Sequence, residues 1–155
     1  MKNTLLALLL VCFAFVAQAQ TNFPLKDLES FCAKNANDFE TAMLSADYSI
    51  QSKVSNQVTK VYWSDKDGAN GKKYIITRTQ APHATISIEF NTTDKKYYLD
   101  FKAGLTKNGY KFVKEENKKV NGVETVWYNF SNGKYQIAVA SWTADVAWFG
   151  VQIHP

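Results

Sequence analysis

Catalysis in this 155-residue chain would have to be built from two histidines, one arginine and fourteen carboxylates, and their spacing assembles no site. His83 follows Pro82 at a turn, and His154 precedes the terminal Pro155. A histidine that activates a nucleophile needs both that nucleophile and an orienting partner. No H-E-x-x-H, C-x-x-C, G-x-S-x-G or phosphate-cradling glycine run occurs. Asp65 and Asp67 are spaced like the first two ligands of a calcium loop, but Ala69 stands at the third and Gly68 comes early, so a polar hairpin loop is expected. Glu115 and Glu116 are adjacent, and neighbours in a strand point to opposite faces. The expectation is therefore no catalytic residue, no metal and no cofactor.

The side chains with more to offer are aromatic. Trp127, Trp142 and Trp148 alternate with small and amide residues, Ala138, Ala140, Gly150, Gln136 and Gln152. By strand parity these share one face, and Lys60 and Tyr62 from the first half would join them. Large rings rising from a floor of alanine and glycine offer wide apolar contact at little side-chain entropy, the property favoured at binding surfaces. Tyr62, Trp127, Gln136, Trp142, Trp148 and Gln152 are accordingly the expected binding residues. The competing expectation is that this face is covered by linkers at 49–56 and 114–122, or by a second copy.

The elements that must position these residues follow one order of signals twice. The first half reads helix, Tyr48, linker, VYWS at 61–64, KYII at 73–76 and TISIEF at 85–90. The second reads helix, Tyr110, linker, VWYN at 126–129, KYQI at 134–137 and AWFGVQI at 147–153. Such a recurrence suggests a duplicated supersecondary unit. Leu25, Leu28, Cys32, Ala36, Phe39, Met43 and Ala46 step at helical spacing, with Asn37 and Glu40 suggesting a restart near Asn37. A second helix, opening after Thr92 or Thr93, carries Tyr97, Phe101 and Leu105 and ends at Asn108-Gly109. Asn132-Gly133 signals a hairpin.

The expected fold class is α+β: two tandem helix-plus-antiparallel-strand repeats, about 22–91 and 92–155, forming one sheet with the helices packed on one face. By order of elements alone the layout resembles the secreted proteins that inhibit β-lactamases. That likeness implies protein binding and carries no residue across.

Residues 1–19, MKNTLLALLLVCFAFVAQA, read as a signal peptide: Lys2, an apolar run of about a dozen residues, then Ala17-Gln18-Ala19. A spanning helix needs about 20. The expected product, 20–155, is a single domain in the periplasm or outside a bacterial cell, with no stable membrane anchor. Cys12 would leave with the leader, and Cys32 would remain as a packed thiol.

Losing Lys2 takes the 18 basic residues to 17, against 14 acidic ones. Only Arg78 is arginine, and the lysines are dispersed, which argues against nucleic acid. The expected partner is a protein, peptide or glycan in the cell envelope or beyond it, bound by a monomer or homodimer. A periplasmic carrier of a small apolar ligand is the alternative, and a small hydrolase using acidic residues the second.

Overall fold

The computed structural model describes residues 23–55, 60–68, 71–80, 85–120, 122–143 and 146–155, with backbone alone for 52–55, 60–66 and 120. The expected leader, His83 and the turns at 81–83 and 144–145 lie outside the described residues.

The long helical stripe of the first half folds as two helices, α1 (Leu25–Ala33) and α2 (Ala36–Ser45). The break comes at Lys34 and Asn35, both extended, two residues before the expected restart at Asn37. Asn35 Oδ1 accepts the Asp38 N–H at 2.9 Å, and Asn35 Nδ2 donates to Asp38 Oδ2 at 2.8 Å. This side chain satisfies one of the amides a helix start leaves free. The carbonyl of Lys34, released by the break, accepts Arg78 Nη2 at 3.0 Å. The sole arginine, buried and also donating to Gln80 Oε1, thus ties the helix junction to the sheet.

Four strands follow, β1 (Ser49–Ser55), β2 (Lys60–Asp67), β3 (Lys73–Gln80) and β4 (Ser87–Thr92). Then come α3 (Lys95–Lys107) and β5 (Lys111–Val120), β6 (Val123–Ser131), β7 (Gln136–Thr143) and β8 (Ala147–His154). Asp94 caps α3, its carboxylate accepting from Lys96 N at 3.1 Å and Tyr97 N at 3.3 Å. Gly109, at φ 82°, closes the helix, and Tyr110 N–H returns to the Leu105 carbonyl at 3.1 Å. The Asn132-Gly133 hairpin forms with a longer loop than the two-residue turn that dipeptide suggests. Ser131 pairs with Gln136, only Gly133 has positive φ, and Asn132 Oδ1 accepts from Lys134 N and Tyr135 N.

All strand pairings are antiparallel, and the eight strands run in the order β1-β2-β3-β4-β8-β7-β6-β5. Each half thus runs as a meander from an outer edge inward, and β4 meets β8 at the centre. The stretches expected as covering linkers are strands instead: 49–55 is β1 and 114–120 belongs to β5. They extend the sheet at its edges, and among the described residues neither lies over its face. β5 carries lysines and glutamates along its length, a composition that discourages edge-to-edge pairing.

Residues directly opposite in an antiparallel ladder share a face. Tyr74, Ile76, Ile88, Phe90, Ile137, Val139, Phe149, Val151 and Ile153 occupy one face and are buried under the helices. Leu28, Phe31 and Cys32 of α1 press on them at the centre, Phe39 and Met43 of α2 toward β1 and β2, and Tyr98 of α3 on Phe149, ring centroids 4.9 Å apart. Phe23 joins this core, stacked on Tyr48 at 5.2 Å and edge-on to Phe31 at 4.9 Å. Each such side chain contributes about 1.5–3 kcal/mol by burial. The fold is α+β with its helices on one face, as expected.

Candidate functional site

The other face carries no helix among the described residues. The ladder arranges it in rows across the strands. One row runs Glu116, Trp127, Ala140, Gly150, Asn91 and Ile75, and the next runs Lys114, Asn129, Ala138, Gln152, Glu89 and Thr77. Trp142 and Trp148 are opposite one another in the row above, and Gln136 is opposite Ser131 and His154 in the row below.

Five of the six expected binding residues, Trp127, Gln136, Trp142, Trp148 and Gln152, therefore share this face. For Tyr62 the backbone register alone is described. It is paired with Arg78, whose row lies on the helix side, while Trp63 is paired with Thr77 in the open row. The two halves are offset by one residue in phase along β2, and one residue inverts every facing. The side chains of Tyr62 and Trp63 lie outside the described residues.

Ala138, Ala140 and Gly150 are buried although no helix among the described residues covers them. Over Gly150 the half-buried Trp142 ring takes that place. A Cβ added to Gly150 would fall 2.9 Å from Trp142 Cζ3, so the Trp142 ring reclines over the glycine. Asn91 approaches the same spot from β4, its Nδ2 donating to Glu89 Oε1 at 2.7 Å and its Oδ1 buried without a hydrogen-bond partner. Trp127 Nε1 is likewise buried and unpartnered. Row by row, an unmet donor and an unmet acceptor thus flank the Ala140–Gly150 floor. Leaving such a group unpaired costs about 1–3 kcal/mol.

Charge collects at the β5 edge of this face. Glu116 Oε1 holds Lys114 Nζ at 2.5 Å and Glu116 Oε2 holds Lys118 Nζ at 3.2 Å. Hydrogen bonds from Lys114 and then Lys118 keep the Glu116 carboxyl below the usual glutamate range. Lys118 Nζ also stands 5.5 Å from the Trp127 ring centroid, within range of a cation–π contact. Beside them β5 bulges between Phe112 and Lys114. A cavity of about 330 Å³ opens there, lined by Val113, Lys114, Asn129, Ser131, Gln136 and His154 among others.

Strand parity places the indoles, the glutamines and Asn129 on this surface but misses Asn91, Val113 and Lys114. Asn91 was legible from the alternation of TISIEF extended by one residue. Val113 and Lys114 were not, because no local pattern announces a bulge. Among the described residues no three of His, Cys, Asp and Glu gather in a way that could hold a metal ion, and no helix is long and apolar enough to cross a membrane. Comparison of the chain with protein-family models, curated proteins and solved structures finds no match.

Proposed function

We propose that this is an exported, non-catalytic binding protein that holds its partner against the open sheet face. The observation that supports the reading most is the set of three half-buried indoles on the face that carries no helix among the described residues, beside a floor of Ala138, Ala140 and Gly150 and a row of amide side chains. Rings supply contact area, and amides such as Gln152 and Asn129 supply direction. Export rests on the leader expected at 1–19, which gives the location in the envelope or beyond it and leaves the binding role to the sheet face.

The carrier alternative has less to stand on. The space between helices and sheet is occupied by Phe23, Phe31, Tyr48, Phe90 and Tyr97, and the groove along α3 near Leu25 and Phe101 holds about 310 Å³ at the surface. Hydrolysis through acidic residues is weaker still, since Glu116 is engaged by two lysines.

The test is a variant carrying Trp142→Ala and Trp148→Ala, compared with the parent in capture from envelope and extracellular fractions. A folded variant that loses capture supports the reading. Unchanged capture by that variant, or its unfolding, overturns the assignment of these rings to binding.

A further inference from the structure

We propose that the cavity at the β5 bulge is a subsite for the carboxylate of an acidic sugar, and that the partner on the open face is a uronic-acid-containing glycan. This rests on the binding role proposed above and deepens it.

The first argument is the character of the wall. Lys114 and His154 line the cavity, and no carboxylate does. Glu116, two residues along β5, is shared between Lys114 and Lys118, so the β5 edge keeps an excess of positive charge. Neutral donors complete the wall. Asn129 Nδ2 is only weakly engaged, 3.5 Å from the Lys114 carbonyl and 3.4 Å from Glu116 Oε2. Gln136 spends its Oε1 on His154 Nε2 at 3.3 Å, which leaves its amide N–H groups turned to other acceptors. A carboxylate takes up several such donors at once, and a charge-assisted hydrogen bond is stronger than a neutral one.

The second argument is what adjoins the cavity. Trp127 lies two residues from Asn129 on the same strand and face, about 7 Å along it. An acidic unit seated in the cavity would place its neighbour on the Trp127 ring, where the C–H face of a sugar stacks. The volume, at the low end of small-molecule sites, suits one unit rather than a chain.

The third argument separates a glycan from a peptide. An extended peptide must satisfy an N–H and a C=O at nearly every residue, and it does so at a sheet edge. The edge beside the cavity, β5, carries lysines and glutamates that discourage such pairing, and the face inward of it has its backbone groups spent in the ladder. What it offers are rings, amides and hydroxyls, which match the ring faces and hydroxyls of a sugar.

The experiment is calorimetric and tryptophan-fluorescence titration of the purified protein with tetragalacturonate and tetramannuronate, against maltotetraose and tetraglutamate. The expected result is binding of at least one uronate about tenfold tighter than maltotetraose, weakening with salt. In Lys114→Gln and in Gln136→Ala that affinity should fall about tenfold, the cost of one charge-assisted hydrogen bond, with the thermal midpoint unchanged. Equal binding of maltotetraose overturns the carboxylate subsite while leaving the aromatic face in place. Equal binding of tetraglutamate overturns the glycan assignment. Absence of binding by both uronates overturns the proposal outright, and the capture experiment with the Trp142 and Trp148 variant then judges the face on its own.

Discussion

Trp142 lies across Gly150, so that a Cβ on the glycine would stand 2.9 Å from Cζ3 and 3.2 Å from Cη2 of the ring, with Asn91 Oδ1 2.8 Å away on the other side. Gly150 is on β8 and Trp142 on β7, two pairs apart in the ladder and so in adjacent rows of the same face. The absent side chain lets the ring lie low and turn the face into a floor with rings upon it. The glycine serves close approach here rather than a turn.

Gly150→Ala forces the Trp142 ring and Asn91 apart. The expected cost is about 1–3 kcal/mol, the range for overpacking a filled site. Chemical denaturation measures it, and intrinsic fluorescence should shift as the ring rises. A variant as stable as the parent with an unchanged spectrum would show that the ring does not rest on this glycine.

Asp94 combines a helix cap with an ion pair. Burial pushes its carboxyl up, but Lys72, the Tyr97 N–H and Tyr74 outweigh burial and hold it below the usual aspartate range. Lys72 Nζ is 2.8 Å from the carboxylate and Tyr74 Oη donates to it at 3.2 Å. A depressed folded-state pKa adds stability that is fully present above the unfolded value, near 3.9, and is lost as pH falls through the folded value. Asp94→Asn keeps a good cap and removes this acid-limb dependence, while Asp94→Ala also costs about 1 kcal/mol at neutral pH. Denaturation midpoints between pH 2 and 7 separate the two effects.

The helix junction discriminates between two asparagines. Asn35→Ala should cost about 1 kcal/mol, because its side chain caps α2. Asn37→Ala, exposed inside the first turn, should stay within about 0.5 kcal/mol of the parent. The reverse order in urea denaturation would move the helix start to Asn37.

Cys32 is buried, with its thiol 3.6 Å from the Leu28 carbonyl. Burial first, then the Glu29 carboxylate, pushes its pKa up to about 11 despite an opposing pull from Arg78. The thiolate is the reactive form. A disulfide reagent at pH 7.5 should therefore label the folded protein many times more slowly than the protein in denaturant. Comparable rates would place Cys32 at the surface.

Local patterns determined much of this protein. Three-and-four spacing located the helices, alternation gave each strand its two faces, and Asn132-Gly133 and Asn108-Gly109 marked real chain reversals and ends. The grouping of Trp127, Trp142 and Trp148 with Gln136 and Gln152 was legible for the same reason, since parity within a strand depends only on neighbours. Three matters needed the tertiary structure. Matching the two halves puts Tyr62 in the same row as Trp127, whereas the backbone register pairs it with Arg78, because phase between strands is a property of pairing and one residue reverses it. The segments at 49–56 and 114–122 read as linkers, yet 49–55 and 114–120 belong to edge strands, because a polar edge lacks the hydrophobic alternation of a half-buried strand. The cavity beside Lys114 exists because β5 gains one residue on β6 near Val113, and the strain and registry that set a bulge come from the partner strand rather than from the chain around it.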